Sequence, residues 1–154
     1  ASDVYKRQAE ETDYITSRID VNNKCFLAPE NMTEAIKSYC NNNDLIIPDT
    51  AGEIAAVVYK SLADSYADTV MQIEKNLDIT YDAIYVIGGG ANAGYLNQLT
   101  ADSTGKTVVA GPAEATAIGN IMAQMIADSV FKNLKEARAC VRDSFDIKRF
   151  EQKR

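Results

Sequence analysis

Three consecutive glycines, Gly88-Gly89-Gly90, follow directly on an apolar run in this chain. The run, Ala83 to Ile87, reads as a buried strand. A helical pattern starts near Gly94. A strand that stops on a glycine turn and passes into a helix exposes bare backbone N–H groups near a helix N-terminus, where a phosphate-bearing ligand can approach. Few chains can satisfy such a stretch except as a layered α/β structure.

The surrounding pattern agrees. Downstream, the helix from Gly94 to Thr104 is expected to turn Leu96 and Leu99 inward and to stop at Gly105. Thr107-Val108-Val109-Ala110 reads as a short buried strand. Gly111-Pro112 then leads into a helix from Ala113 to about Asp128, with Ala117, Ile118, Ile121, Met122 and Met125 as its buried face. Asn133 and Glu136 start a last helix to about Arg142. The tail 148–154 is charged and expected to fray.

Upstream, Ile15 to Val21 alternates weakly and is expected to be a short edge strand. Asn31 with Glu34, and Thr50 with Glu53, mark two helix starts. The first helix runs to about Asn43, with Met32, Ile36, Tyr39 and Cys40 on one face. The second, from Ala51 to about Lys75, carries the stripe Ile54, Val57, Val58, Leu62, Tyr66, Val70 and Ile73, read as core. Strands alternating with helices predict an α/β fold, helix-rich, with a short parallel sheet. Two central strands are few for a stable sheet, so further strands are expected from a larger domain.

At 154 residues the chain suggests one domain, and 46% hydrophobic with 25% charged residues is ordinary for a soluble globular protein. The net charge of −6 speaks against a nucleic-acid or anionic-membrane surface. No apolar run is long enough to span a bilayer, and no signal-peptide pattern opens the sequence. Cys25, Cys40 and Cys140 lack metal-type spacing; they are expected to be reduced thiols of a cytoplasmic protein, packing as small apolar residues. The chain contains no histidine, which removes histidine-based triads and the commonest metal ligand. Residues 1–13 are expected to be a non-native or disordered leader.

Three kinds of nucleotide loop compete for the glycine turn. Gly88 to Ala93 satisfies the dinucleotide pattern G-x-G-x-x-A. That fold also expects an acidic residue about 20 residues on, at the end of the next strand. Here that strand ends in Ala110-Gly111, and Asp102 falls inside the intervening helix. A P-loop is excluded, because no Gly-Lys-Ser/Thr completes the turn. The third kind is the actin-like ATPase loop, where a Gly-Gly-Gly turn passes under the nucleotide and a second helix of small residues follows another short strand.

Three blocks in order support the third kind: Val86 to Gly90, Leu96 to Asp102, and Ala110 to Asn120. Together they resemble the C-terminal domain of the FGGY carbohydrate kinases. The run from Gly111 to Asn120, and Phe26 to Met32 upstream, look most like the rhamnulokinase branch of that family. The resemblance covers about Ile19 to Phe145.

It implies a partial actin-like ATPase (ribonuclease H-like) domain over 14–147, belonging to a kinase that moves the γ-phosphoryl group of ATP, with Mg²⁺, to a sugar hydroxyl. The acceptor implied is L-rhamnulose. It also implies that Gly88, Gly89 and Gly90 lie against ATP, with Gly89 the foremost contact. Family members often carry Asn at the position of Ala93. Asn92, one place earlier, is a candidate replacement or else a helix cap. Glu114 and Thr116 begin the later helix, with the Glu114 carboxylate favourable at the helix dipole. Ala115, Ala117 and Gly119 are expected to let that helix pack closely behind the loop. Asn97, Gln98 and Asp102 are expected to make structural polar contacts.

The family's catalytic aspartate and sugar contacts lie in an N-terminal kinase domain that this sequence lacks. No catalytic or metal-ligating residue is therefore assigned, and the chain alone is expected to transfer no phosphate. Rival readings are a kinase of xylulose or fuculose type, a non-enzymatic actin-like nucleotide-binding module, and a dinucleotide-dependent oxidoreductase fragment.

Overall fold

The structure is a computed structural model that describes Thr12 and residues 14–153. The leader expected over 1–13 lies outside the described residues except for Thr12. The chain divides between Ile79 and Thr80 into two compact units.

In the first unit, α1 (Met32–Asn42) starts where expected: the Asn31 side chain accepts from the amides of Thr33 and Glu34 at 3.0 and 3.3 Å. Helix α2 (Ala51–Leu77) starts on a complete capping box. Thr50 accepts from the Glu53 amide, and the Glu53 carboxylate accepts from the Thr50 amide. Ile36 and Cys40 of α1 and Val57 of α2 pack with Ile15 and Ile19 into the core, flanked by Phe26, Tyr39, Leu45 and Ile54.

Residues 15–20 do not form the edge strand expected. Burial alternates strictly, with Ile15, Ser17 and Ile19 inward, yet no strand ladder forms. Side chains hold the segment instead. Ser17 Oγ donates to the Ile46 carbonyl at 2.6 Å, the Ile19 amide donates to Ser61 Oγ at 2.9 Å, and Lys60 Nζ donates to the Ile15 carbonyl at 3.2 Å. The period-2 pattern reported an extended segment correctly, but not its partner. The stripe of α2 is core only in its first half. Ala56, Val57 and Ala63 are buried, while Tyr66 and Ile73 are exposed in this structure. Of the cysteines only Cys40 packs inside; Cys25 and Cys140 are exposed.

In the second unit, β1 (Ala83–Val86) pairs in parallel with β2 (Thr107–Ala110), Ala83 opposite Thr107 and Val86 opposite Ala110. Between them runs α3 (Gly94–Thr104), closed by Gly105 in the left-handed region. The sheet is mixed rather than parallel, because β3 (Lys148–Phe150) adds to β2 antiparallel, Phe150 opposite Val108. The expected fraying tail is thus a strand. Its backbone is fastened to α3: Gln98 donates to the Glu151 carbonyl at 2.8 Å, and Asp102 accepts from the Lys153 amide at 2.7 Å. Charge in the tail marked the outer faces of Lys148 and Arg149, not disorder.

Helix α3 presents Asn97, Thr100 and Ala101 inward; Leu96 and Leu99 are only half-buried. Small and polar residues allow the helix to approach β2 closely, and their polar atoms find partners within the unit. Helices α4 (Ala115–Ala127) and α5 (Leu134–Ser144) follow. The face expected to be buried on α4 is not: Ile118, Met122 and Met125 are half-buried along a groove shared with α5, and Ile121 is exposed. Ala117 and Gly119 are exposed too and do not make the close contact expected of them, while Ala115 is half-buried.

The α2 start should be visible in acid. The Tyr14 hydroxyl and the Thr50 and Asp49 amides, all donating to the carboxylate, hold Glu53 down at about 2. A depressed carboxylate contributes stability that is present above its unfolded value, near 4.5, and is lost as pH falls through about 2. Because the group is solvated, its share is about 1 kcal/mol or less. Urea unfolding followed by helix circular dichroism should show stability falling across that window. Glu53→Gln should flatten that part of the profile.

Candidate functional site

The parallel pair brings two loops together at the C-terminal ends of its strands. After β1, Ile87 stays extended and Gly88–Asn92 closes into a 3-10 turn, so the glycine stretch is itself helical rather than open. Gly88 has φ of +73°, a conformation that L side chains rarely adopt. Gly89 faces open space: a Cβ built on it meets nothing within 4 Å. A Cβ on Gly90 would lie 3.3 Å from Val86 Cγ1, so this glycine packs against its own strand.

The turn is gripped from behind. Asn97 is buried, and its side-chain amide donates to the carbonyls of Gly90 and Ala91 at 3.2 and 3.3 Å. The Ala93 amide also donates to Gly90 at 3.0 Å. Asn97 therefore makes the structural contact expected of it, as do Gln98 and Asp102, which bond each other at 3.0 Å and hold the strand after α5. Asn92 is exposed and is not the helix cap. The cap position of α3 is Ala93, which makes no side-chain bond.

After β2, the Gly111 amide donates to the Val86 carbonyl at 2.9 Å and extends the ladder past Ala110. Gly111 has φ of +119°, and a Cβ there would meet the Asp146 carbonyl oxygen at 3.1 Å. The two loops are neighbours, since a Cβ on Gly88 would lie 4.0 Å from the Ala113 carbonyl oxygen. Between them is a hollow of about 170 Å³ lined by Ala91, Asn92, Gly111, Pro112, Asp146 and Lys148, with Phe145 beside them. Glu114 is exposed at the N-cap position of α4, and its carboxylate makes no cap bond.

Of the sequence-derived residues, Asn92 reaches the hollow, and Gly88, Gly89 and Gly90 form the turn at its border. Phe145, Asp146 and Lys148 were missed: the last helix was expected to end near Arg142 with no element after it, and Lys148 was placed in the charged tail. No period-2 alternation in Asp146-Ile147-Lys148-Arg149-Phe150 marks the strand. The triplet Gly105-Lys106-Thr107 lies away from the glycine turn. It sits at the opposite end of β2, where Lys106 Nζ donates to the Tyr81 carbonyl at 2.8 Å. Asp102 lies within α3, engaged by Gln98 and Lys153, and β2 ends on Ala110 with no carboxylate. A ribose-binding acid of the dinucleotide type therefore has no counterpart at that strand end. Among the described residues no group of three or more Cys, Asp or Glu side chains is placed to hold a metal, and no helix is long and apolar enough to cross a membrane.

Comparison with known proteins gives a consistent result. The model of the FGGY family of carbohydrate kinases, C-terminal domain, matches residues 7–127. Rhamnulokinase from Bacillus subtilis (strain 168) is 47% identical over 146 residues, covering 95% of this chain and 30% of that protein. Rhamnulokinase from Oceanobacillus iheyensis is 48% identical over 131 residues, covering 85% and 28%. Rhamnulokinase from Halalkalibacterium halodurans is 46% identical over 134 residues, covering 87% and 29%. The chain thus spans less than a third of the length of the curated relatives it matches.

The Gly111 geometry gives a direct test. Gly111→Ala forces a side chain into a positive-φ position and against a backbone oxygen, at a cost of about 1–3 kcal/mol. Denaturant unfolding should show that loss. Gly119→Ala, with open space around its Cβ and a helical backbone, should be neutral or stabilising.

Proposed function

The chain belongs to the FGGY family of carbohydrate kinases, as their C-terminal domain, and from that premise we propose that it forms the nucleotide-facing part of an actin-like enzyme that transfers the ATP γ-phosphoryl group to a sugar hydroxyl. The observation that carries this reading is the glycine turn: clamped from behind by Asn97, open in front at Gly89, and set at the C-terminal ends of a parallel strand pair.

The sugar proposed is L-rhamnulose, giving its 1-phosphate. Support comes from the rhamnulokinase names of the relatives. It also comes from how far the similarity reaches. A match covering 95% of 154 residues leaves about eight unmatched, so it must continue through α5, beyond the family domain that ends at residue 127.

Phosphoryl transfer is mostly a matter of positioning and charge neutralisation. In this reading the backbone of Gly88, Gly89 and Gly90 lies against the nucleotide, with no Cβ at Gly89 to hold it off. Asn92 stands at the edge of the same surface and offers an amide to the adenosine part. Mg²⁺ supplies charge neutralisation at the phosphates. It would enter with the nucleotide, and no residue of this chain is assigned to hold it. The base and the sugar contacts come from an N-terminal kinase domain outside these residues. The compartment proposed is the cytoplasm, where ATP and reduced thiols are found.

Gly89→Val tests the nucleotide reading in the intact kinase. Stability should change little within this unit, since a Cβ at Gly89 meets nothing within 4 Å. KM for ATP should rise about tenfold or more, the equivalent of roughly 1.4 kcal/mol. An unchanged KM for ATP would place the nucleotide elsewhere. The 154-residue chain alone should show no phosphorylation of L-rhamnulose, and detectable product from it would contradict the division of labour proposed.

A further inference from the structure

Asn97 is 3% exposed, and both of its side-chain hydrogen bonds go forward to the glycine turn rather than to its own helix. Its neighbour one turn on, Thr100, is equally buried at 3% and donates instead to the Leu96 carbonyl at 2.8 Å, within α3. Two equally buried polar residues on one helix face thus do different things.

The last carbonyls of a short 3-10 turn have no partner inside it, and its first amides have none either. At the carbonyl end Asn97 donates to Ala91 and adds a second donor at Gly90, whose carbonyl also takes the Ala93 amide. The opposite end begins at Gly88, at the tip of β1, and a Cβ built on Gly89 meets nothing within 4 Å. A glycine turn without such a grip would sample many backbone states, and a ligand would have to order it on binding.

Resting on the kinase reading above, we propose that Asn97 is a positioning residue for the nucleotide. It does not touch ATP. It holds the Gly88–Asn92 turn in its ATP-accepting shape before ATP arrives. The alternative is that Asn97 is an ordinary buried polar residue whose loss would merely destabilise the unit.

The test is made in the intact kinase with Asn97→Leu, Asn97→Asp and the milder Asn97→Ser, against Thr100→Val as a control on the same helix. KM for ATP, KM for the sugar, kcat and thermal midpoint are measured for each. Losing a buried donor that orders the turn should raise KM for ATP about tenfold for Leu and Asp and less for Ser, leaving KM for the sugar within about twofold. Thr100→Val should lower the thermal midpoint without raising KM for ATP. If Leu and Asp fail to fold, the Ser variant decides by the same criterion.

The proposal is overturned if the Asn97 variants keep the wild-type KM for ATP, or if Thr100→Val at matched loss of thermal stability raises it equally. Failure of the underlying reading looks different: the wild-type protein would then not use ATP as phosphoryl donor at all.

Discussion

Parallel pairing of β1 with β2 is the interaction on which the second unit depends. Parallel strands need a crossover, and here the crossover is α3, the helix that also carries Asn97. The same pairing brings the ends of both strands side by side, so that the Gly111 amide bonds the Val86 carbonyl and the two glycine-containing loops share one border. Shift the register by one residue and Val108 would trade faces with Val109, the Gly111 bond would be lost, and the hollow between the loops would have no walls.

Each loop then uses glycine for a different reason. Gly111 is required by backbone angle and by the nearness of the Asp146 carbonyl, whereas Gly90 sits close against the Val86 side chain. Gly89 is required by nothing in the described residues. A glycine with open space around its missing side chain, in a turn held firmly from behind, makes structural sense when something outside the chain uses that space. β3 completes the arrangement by covering the far edge of β2 and delivering Asp146 and Lys148 to the hollow.

Much of this was legible in the residues. The Asn31 cap, the Thr50 capping box, the Gly105 stop, the limits of α3 and β2, and the parallel pair follow from local chemistry and short-range periodicity, which sequence displays directly. What failed were inferences needing a partner. Leu96 and Leu99 yielded the inward face of α3 to Asn97, Thr100 and Ala101, because the partners of Asn97 lie on a loop and the helix comes close to β2. Lys148 to Phe150 became a strand because β2 had a free edge and α3 carried Gln98 and Asp102 to fasten it. The apolar faces of α4 and of the second half of α2 were read as core from periodicity alone. Within their own units they are half-covered or open. Of the site, the glycine turn was visible as a motif, whereas the hollow beside it was not, since Phe145, Asp146 and Lys148 reach it only through the third strand.

The central claim is that the glycine turn is a nucleotide-facing surface. Backbone amide chemical shifts of the intact kinase, isotopically labelled and titrated with ATP and separately with NAD, test it most directly. The account requires saturable shifts at the Gly88, Gly89 and Gly90 amides with ATP, and none there with NAD. Saturable ATP binding that leaves those three amides unmoved, or equal movement with NAD, would contradict it.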